Sequence, residues 1–319
     1  MTDTVVSPVS DLAQRLRNSV AEAVVGKESA LNLVLVALLC NGHLLVEDIP
    51  GIGKTTLARA LSSSLGLTFK RIQFTPDLTP VDVVGTNIFN QQTTDFEFYP
   101  GPVFTQVLLA DEINRATPRT QSALLEAMQE SQVTIDGVTR SLPNPFIVIA
   151  TQNPIELEGT FPLPEAQTDR FMLRIRLGYP SLADELEILR RYQAVSGPGA
   201  LPSPSVTQED LLASQRLVES VSIEASVAEY LVKIVQETRS HKLLELGASP
   251  RAALFLYRGA KALAAVSDRS YVLPDDIKEL VEPILAHRLV LAPQARLRGI
   301  TVEQVIEEVL GSVPVPVES

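Results

Sequence analysis

The chain has 319 residues, of which 45% are hydrophobic, and its formal net charge is −11. This composition predicts a folded protein with a sizeable core, and the acidic balance disfavours non-specific nucleic-acid binding, which depends on basic surface. The only cysteine, Cys40, excludes an internal disulfide and a cysteine-based metal cluster and favours a reducing, cytoplasmic location. The longest apolar run, residues 33–40, is much shorter than the about 20 residues that cross a bilayer, so no membrane insertion is expected.

The first half of the chain alternates short apolar strands with helices. Residues 11–40 have the periodicity of two helices, and helices are also predicted after the first and third strands. Strands are predicted at HLLVE (43–47), FKRIQF (69–74), VLLADE (107–112), FIVIAT (146–151) and FMLRIRL (171–177). This alternation predicts an α/β fold in which helices cover both faces of a parallel sheet.

The pattern changes at Gly178-Tyr179-Pro180. The segments beyond this point have helical periodicity, and none of them is a convincing strand. The sequence therefore predicts two domains, an α/β core at 1–178 and a helical domain at 179–319.

One stretch, EDIPGIGKTT at 47–56, nearly matches the phosphate-binding loop pattern of Gly, four residues and Gly-Lys-Thr/Ser. Asp48 stands where the first Gly is expected, although Asp tolerates turns. The stretch joins a predicted strand to a predicted helix, where backbone N–H groups can bind phosphate, Lys54 can reach the β- and γ-phosphates, and Thr55 can ligate Mg²⁺. The alternative is a chance match on a surface turn. The predicted nucleotide-binding residues of the loop are Pro50, Gly51, Ile52, Gly53, Lys54, Thr55 and Thr56.

Polar residues also follow two other predicted strands. Asp111 and Glu112 end VLLADE, where Asp111 can hold Mg²⁺ directly or through water and Glu112 can polarise an attacking water. The alternative is that these acids cap the next helix. Gln152 and Asn153 end the following strand, where an amide, Asn153 above all, can hold that water; an Asn-Pro turn is the alternative.

Long blocks of this sequence resemble the MoxR family of AAA+ ATPases. They are EDIPGIGKTTLARALS, RIQFTPDLTPVDVVGT, ADEINRATPRTQSALLEAMQE, ATQNPIELEGTFPLPEAQTDRF and GASPRAAL, in the order of that family. The resemblance implies a five-stranded αβα nucleotide-binding core, a carboxyl-terminal helical lid, and hydrolysis of ATP to ADP with Mg²⁺.

The resemblance also implies the roles of individual residues. Asn153 matches the first sensor, Arg170 the arginine finger that reaches the next subunit's site, and Arg251 the second sensor in the lid. Val25 and Gly26 match the segment that lines the adenine pocket. Lys54 and Thr55 match the phosphate and Mg²⁺ residues, Asp111 the acid on the metal side and Glu112 the catalytic base.

Two further segments match features that line the centre of a ring in such ATPases. One is an insert within the second helix at 85–104, whose aromatic residues suggest a tip that contacts a substrate or partner. The other is a hairpin at 131–143 that turns at Asp136-Gly137. The alternative for the insert is that its aromatic rings pack on their own domain. Those aromatic residues are Phe89, Phe96, Phe98 and Tyr99.

The resemblance implies a homo-oligomeric ring, expected to be a hexamer, that remodels, matures or activates other proteins. Proteins with a von Willebrand factor A domain are the expected partners, and the client is not specified. The alternatives are the motor subunit of a metal-chelatase-like complex, a nucleic-acid motor, which the net charge disfavours, and a non-catalytic nucleotide-dependent scaffold, which Asp111 and Glu112 disfavour.

Overall fold

A computed structural model describes residues 6–154, 159–194 and 201–316. Its centre is a five-stranded parallel sheet with the strand order β2-β5-β8-β1-β9. All five strands lie where the sequence predicts them. They are β1 (Leu44–Glu47), β2 (Phe69–Gln73), β5 (Val107–Asp111), β8 (Ile147–Gln152) and β9 (Leu173–Ile175).

Helices surround this sheet and form most of the carboxyl-terminal region. Those before β9 are α1 (Ser7–Ala21), α2 (Glu28–Leu39), α3 (Lys54–Ser64), α4 (Pro80–Val84), α5 (Pro118–Glu130) and α6 (Glu165–Thr168), with a short 3-10 helix at Ile113–Arg115. Those after β9 are α7 (Leu182–Ala194), α8 (Gln208–Glu219), α9 (Ala225–Ser240), α10 (Pro250–Val266), α11 (Pro274–Leu285), α12 (Pro293–Leu297) and α13 (Val302–Ser312).

The inner strands β5, β8 and β1 are buried on both faces, which explains why they are continuous apolar runs rather than alternating ones. On β5, Leu109 packs into a core shared with α1, α2 and the carboxyl-terminal helices. Its neighbours Leu108 and Ala110 pack into a second core, on the side of α5. Because both faces are covered, functional side chains have open positions mainly at the ends of the strands.

The carboxyl-terminal region contains one feature that the sequence does not predict. Strands β10 (Leu244–Leu246) and β11 (Val290–Leu291) pair in an antiparallel ladder, so the prediction that no strand follows residue 178 is wrong. Two- and three-residue strands leave no periodicity to detect in a sequence. The domain boundary at residue 178 stays a prediction, although the central sheet ends at β9.

The predicted insert is a hairpin, β3 (Gly85–Asn90) and β4 (Asp95–Pro100), but it is not embedded in a long helix. Only the five-residue α4 precedes it, and residues 101–106 form turns before β5 begins. A second hairpin, β6 (Gln132–Ile135) and β7 (Val138–Ser141), turns at Asp136 and Gly137. Both turn residues have positive φ, as an Asp-Gly hairpin turn requires.

The two hairpins contact each other through side chains. The guanidinium of Arg140 lies 4.0 Å from the centroid of the Phe98 ring, and Asn87 Nδ2 donates to Asp136 Oδ2 at 2.6 Å. Phe98 also contacts Phe104, whereas Phe96 and Tyr99 are 66% and 69% exposed. Phe98 therefore packs on the protein itself, and the other three rings of the predicted aromatic tip face solvent.

Three further properties bear on function. Cys40 is buried, and this burial raises the pKa of its thiol to about 12. Within the described ranges, no helix is both long and apolar enough to cross a membrane. The same residues contain no group of three or more His, Cys, Asp or Glu side chains that could hold a metal ion.

Candidate functional site

The phosphate-binding stretch joins the carboxyl end of β1 to α3, as predicted. Gly51 and Gly53 adopt positive φ values of 84° and 95°, and α3 begins at Lys54 directly after Gly53. A Cβ atom added at either glycine would meet nothing within 4 Å, so backbone conformation rather than crowding requires glycine there. The turn therefore leaves open space beside the amino terminus of α3, where backbone N–H groups favour an anion.

Lys54 lies among acidic side chains at this end of the sheet. Its Nζ donates to the backbone oxygen of Asp48 at 2.7 Å. Burial lowers the pKa of the Lys54 ammonium, and three carboxylates oppose that shift, those of Asp111, Asp48 and Glu112. The structure thus brings the predicted phosphate-binding lysine and the predicted acid pair within electrostatic reach of one another.

The acid pair is organised by a buried threonine that the sequence analysis missed. Thr151 Oγ1 donates to Asp111 Oδ1 at 2.5 Å and accepts the N–H of Glu112 at 2.9 Å. The other Asp111 oxygen accepts Arg71 Nη2 at 2.7 Å. Thr151 belongs to the neighbouring strand β8, so one hydroxyl fixes the side chain of one acid and the backbone of the next.

Glu112 has a backbone conformation that is uncommon for a residue with a side chain. Its φ of 55° and ψ of 50° lie in the left-handed region. Its carboxylate accepts Gln73 Nε2 at 2.8 Å and lies 3.4 Å from Arg115 Nη1. Strained residues held by their surroundings are concentrated at functional sites, which fits the predicted role of Glu112 as a base.

Asn153 directly follows β8, which lies between β5 and β1 in the sheet. Because the carboxyl ends of parallel strands meet at one edge of a sheet, Asn153 lies at the same edge as the acid pair and the phosphate-binding turn. Its side chain is half-buried. The adjacent Gln152 uses its amide to donate to Glu47 Oε1 at 2.5 Å. The Gln152 amide, which is the other candidate in the sequence, thus makes a hydrogen bond to the end of β1.

A cavity of about 560 Å³ lies between α1, α2, α7 and α3, the helix that follows the turn. Val25 and Gly26, the predicted adenine-pocket residues, line it together with Leu57 of α3. The apolar part of this lining, which includes Val24 and Leu31, can pack against a heteroaromatic base, and the polar side chains around it can contact the edge of the base. The carboxylate of Asp184, in the first turn of α7, lies against Gly26 and also lines this cavity.

The donor atoms present suit Mg²⁺. The Thr55 hydroxyl and the Asp111 carboxylate are hard oxygen ligands, the type that Mg²⁺ prefers, and substrate phosphates and water commonly supply the rest. Thr55, in the first turn of α3, is half-buried.

The two predicted arginines lie together at the other end of the sheet. Arg170 and Arg251 line a cavity of about 280 Å³ with Gly42 and His43, which precede β1. The phosphate-binding turn follows β1, so the strand separates the arginines from the turn of their own chain. The structure brings these arginines to each other but not to Lys54 or Glu112.

A network around Asp169 connects the segment that carries Arg170 to the helix that carries Arg251. Asp169, next to Arg170, accepts Arg288 Nε at 2.8 Å and Ser249 Oγ at 2.9 Å, and Ser249 caps the helix that begins at Pro250-Arg251. Arg288 is 3% exposed and also donates to the backbone oxygen of Phe171. Burial lowers the pKa of Arg288 to about 10, although its hydrogen bond to Asp169 opposes the shift. Neither Asp169 nor Arg288 is predicted as a functional residue from the sequence.

Comparisons with known proteins agree with this architecture. The family described as "ATPase family associated with various cellular activities (AAA)" matches residues 43–173, and the AAA lid domain matches residues 236–309. The chain is 51% identical over 294 residues to the protein YeaC of Bacillus subtilis, covering 92% of each chain. It is 44% identical over 306 residues to Chaperone MoxR1 of Mycobacterium tuberculosis, covering 93% of this chain and 80% of the relative.

A solved structure of a protein from Cytophaga hutchinsonii superposes with a TM-score of 0.91 at 42% identity, covering 98% of this chain and 97% of the other. The expected fold, a five-stranded αβα core followed by a helical lid, is thereby confirmed, and membership of this class implies nucleotide binding. The chain belongs to the MoxR family of AAA+ ATPases.

Proposed function

We propose that this chain hydrolyses ATP to ADP and phosphate at the carboxyl edge of its sheet. The observation that carries the proposal is the convergence there of the glycine-lined turn, Lys54 and the acid pair joined by Thr151. The phosphates would lie on the turn between Gly51 and Thr56, and the adenine in the cavity lined by Val25 and Gly26. Such an arrangement stabilises a triphosphate through backbone N–H groups and one ammonium.

In the proposed mechanism, Glu112 accepts a proton from the attacking water, and Asn153 helps to orient that water. Lys54 stabilises charge on the β- and γ-phosphates. Thr55 and Asp111 would hold Mg²⁺, which neutralises phosphate charge when bound. The hydrogen bonds of Thr151 to both acids keep Asp111 aimed at this region while fixing the backbone of Glu112.

We also propose that Arg170 and Arg251 act on the nucleotide of a neighbouring copy. They lie beyond the opposite end of β1 from their own phosphate-binding turn, so a head-to-tail contact between copies would bring them to a nucleotide. Repeating this contact generates a ring, for which we propose six copies. Hydrolysis would then shift the lid relative to the sheet.

The proposed biological role is the remodelling, maturation or activation of other proteins in the cytoplasm. Its support is the similarity to Chaperone MoxR1 and the exposed rings of Phe89, Phe96 and Tyr99 on the insert hairpin. A protein with a von Willebrand factor A domain is the partner class that we propose.

The substitution Glu112→Gln tests the proposed chemistry. It removes the base but keeps an oxygen acceptor for Gln73, so we expect ATP hydrolysis to fall at least about a hundredfold while ATP binding survives. Phosphate release and titration of a fluorescent ATP analogue would measure the two quantities. Hydrolysis at the parental rate in this variant would refute the assignment of Glu112.

A further inference from the structure

The peptide that leads into the helical region is held from both sides by charged side chains. Asp48 Oδ2 accepts the N–H groups of Leu177 and Gly178 at 2.6 and 2.7 Å. Lys27 Nζ donates to the carbonyl oxygens of the same two residues at 2.9 and 2.8 Å. All four backbone polar groups of this pair thus have a charged partner, and charge-assisted hydrogen bonds are the stronger kind.

Asp48 belongs at the same time to the phosphate-binding turn. Its Oδ1 accepts the N–H of Ile49 at 3.0 Å, and its backbone oxygen accepts Lys54 Nζ at 2.7 Å. The backbone of Asp48 is not in the positive-φ region, so this position does not need glycine. A side chain here does not impair the turn but connects it to residues 129 and 130 positions away.

The start of α7 contacts the other end of the candidate nucleotide cleft as well. Lys27 directly follows Gly26, and a Cβ atom added at Gly26 would lie 2.2 Å from the Asp184 carboxyl carbon. Asp184 is fixed in turn by Ser181, whose hydroxyl donates to its Oδ2 at 2.7 Å. The peptide at 177–178 and the first turn of α7 therefore contact both the phosphate side and the adenine side of the cleft.

We propose that Asp48 is a positioning residue that couples the phosphate-binding turn to the peptide Leu177-Gly178, and that Lys27 holds this peptide from the adenine side. A change in the backbone conformation of the phosphate-binding turn would then move the start of α7, because hydrogen bonds connect the two segments directly. The coupling to hydrolysis depends on the proposed function, but the link between Asp48 and residues 177–178 does not.

The first test measures the link without nucleotide. In Asp48→Asn, the side chain keeps its size but loses its negative charge, and one of its two acceptor oxygens becomes an NH₂ donor, so the N–H groups of Ile49, Leu177 and Gly178 no longer share a charged acceptor. We expect the amides of Leu177 and Gly178 to exchange with deuterium at least about tenfold faster than in the parent, the change expected for loss of a charged acceptor. Hydrogen exchange by mass spectrometry with fragmentation to single residues gives this readout. Unchanged exchange at both amides would overturn the proposal.

The second test separates positioning from a general structural role. We expect Asp48→Asn to lower kcat at least about tenfold while the KM for ATP stays within about threefold, because the turn still binds phosphate but its movement no longer reaches α7. ATP should also no longer change the exchange rates of residues 177–190. Parental kcat would overturn the proposal, and so would equal losses in kcat and ATP affinity with a lower melting temperature.

Two further variants complete the design. Lys27→Met leaves the phosphate-binding turn intact, and its effect on kcat should be less than additive with that of Asp48→Asn, since both act on one peptide. Asp210→Asn is the matched control, because Asp210 also accepts a backbone N–H, that of Thr207 at 3.1 Å, but at the start of α8. If the parent binds no ATP, the proposed function fails, and the exchange rates of Leu177 and Gly178 still decide whether the link exists.

Discussion

The two ends of the central sheet carry side chains of opposite character. At the carboxyl end, the acids Asp111 and Glu112 lie near Lys54 and the glycine turn. At the amino end, Arg170 and Arg251 share a cavity with a third arginine, Arg258. One end is suited to hold and attack a phosphate, and the other offers cations to stabilise it, but β1 lies between them.

We therefore propose that one chain carries two half-sites rather than one complete site. Two identical chains can complete a site only when the amino end of one meets the carboxyl end of the next. The proposed contact pairs acidic with basic side chains and leaves a free half-site at each end, so it can be repeated, and the repeats form a ring where the rotation between copies closes. The comparison therefore predicts that damage at either end abolishes turnover, by mechanisms that can be told apart.

The largest expected effect is that of Arg170→Ala. Loss of an arginine finger commonly lowers phosphoryl transfer by about 10³-fold or more, and binding of ATP to the intact carboxyl end should persist. The measurement is steady-state phosphate release together with ATP binding. Arg298→Ala, which removes an exposed arginine after α12, is the control and should keep parental activity.

Mixing two inactive variants tests whether the two ends of the sheet complete one site between neighbouring chains. Arg170→Ala chains keep the carboxyl end intact, and Glu112→Gln chains keep the amino end intact. With random assembly at equal amounts, about a quarter of the sites would combine two intact halves, and ATPase activity should recover to about that fraction. A mixture as inactive as its components would contradict the two half-sites.

A smaller effect is expected for Arg251→Ala. Arg251 lies 3.9 Å from Asp169 and would contribute one cation beside that of Arg170, so we expect kcat to fall by about 10²-fold, the usual range for loss of one charge-stabilising donor. Phosphate release again provides the measurement. Because the Asp169–Arg288 ion pair remains, the melting temperature should change little, and a collapse in stability would show that Arg251 is mainly structural.

The smallest effect concerns stability and is specific to the amino end. Burial lowers the pKa of His43 to about 4, although its hydrogen bond to the Met128 carbonyl opposes the shift. Val148 N–H donates to His43 Nδ1 at 3.1 Å, so the neutral ring must carry its proton on Nε2, which lies 3.1 Å from that carbonyl. Between pH 6.5 and 4, His43 is protonated in the unfolded chain but stays neutral in the folded chain. The free energy of unfolding therefore falls as the pH falls through this window.

We therefore expect His43→Gln to flatten part of the acid-side decline in unfolding free energy. Between pH 7 and pH 4.5, the free energy of unfolding should fall by about 2 kcal/mol more in the parent than in the variant. This is less than the full pKa shift would give, because the His43 ring keeps some solvent contact. Urea denaturation at a series of pH values would measure it. Parallel curves for the parent and the variant would show that His43 does not contribute.

Much of the fold can be read from the sequence because the inner strands are short, unbroken apolar runs that end in polar residues. Asp111 and Glu112 are conspicuous for that reason, since a carboxylate at the end of a buried strand is costly to bury without a partner. Pairings between distant segments cannot be read in this way. Asp48 looks like a defect in a motif until its partners at 177 and 178 are known, and Arg288 looks like an ordinary arginine after a helix.

The same limit applies to the insert hairpin. Its four aromatic residues are equivalent in the sequence, yet Phe98 contacts Phe104 at a centroid distance of 5.3 Å while Phe96 and Tyr99 remain exposed. Alternation along β4 does not decide this, because Phe96 and Phe98 lie on the same side of the strand. The neighbouring hairpin, through Arg140, determines which ring is covered.

The burial of Cys40 has a practical consequence for observing this protein at work. A thiol with a pKa of about 12 that is enclosed by the core presents almost no reactive thiolate to maleimide reagents. Dyes or spin labels can therefore be attached to a single cysteine introduced at the surface without first replacing the native one. The proposed shift of the helical region can then be tested in an otherwise unaltered chain.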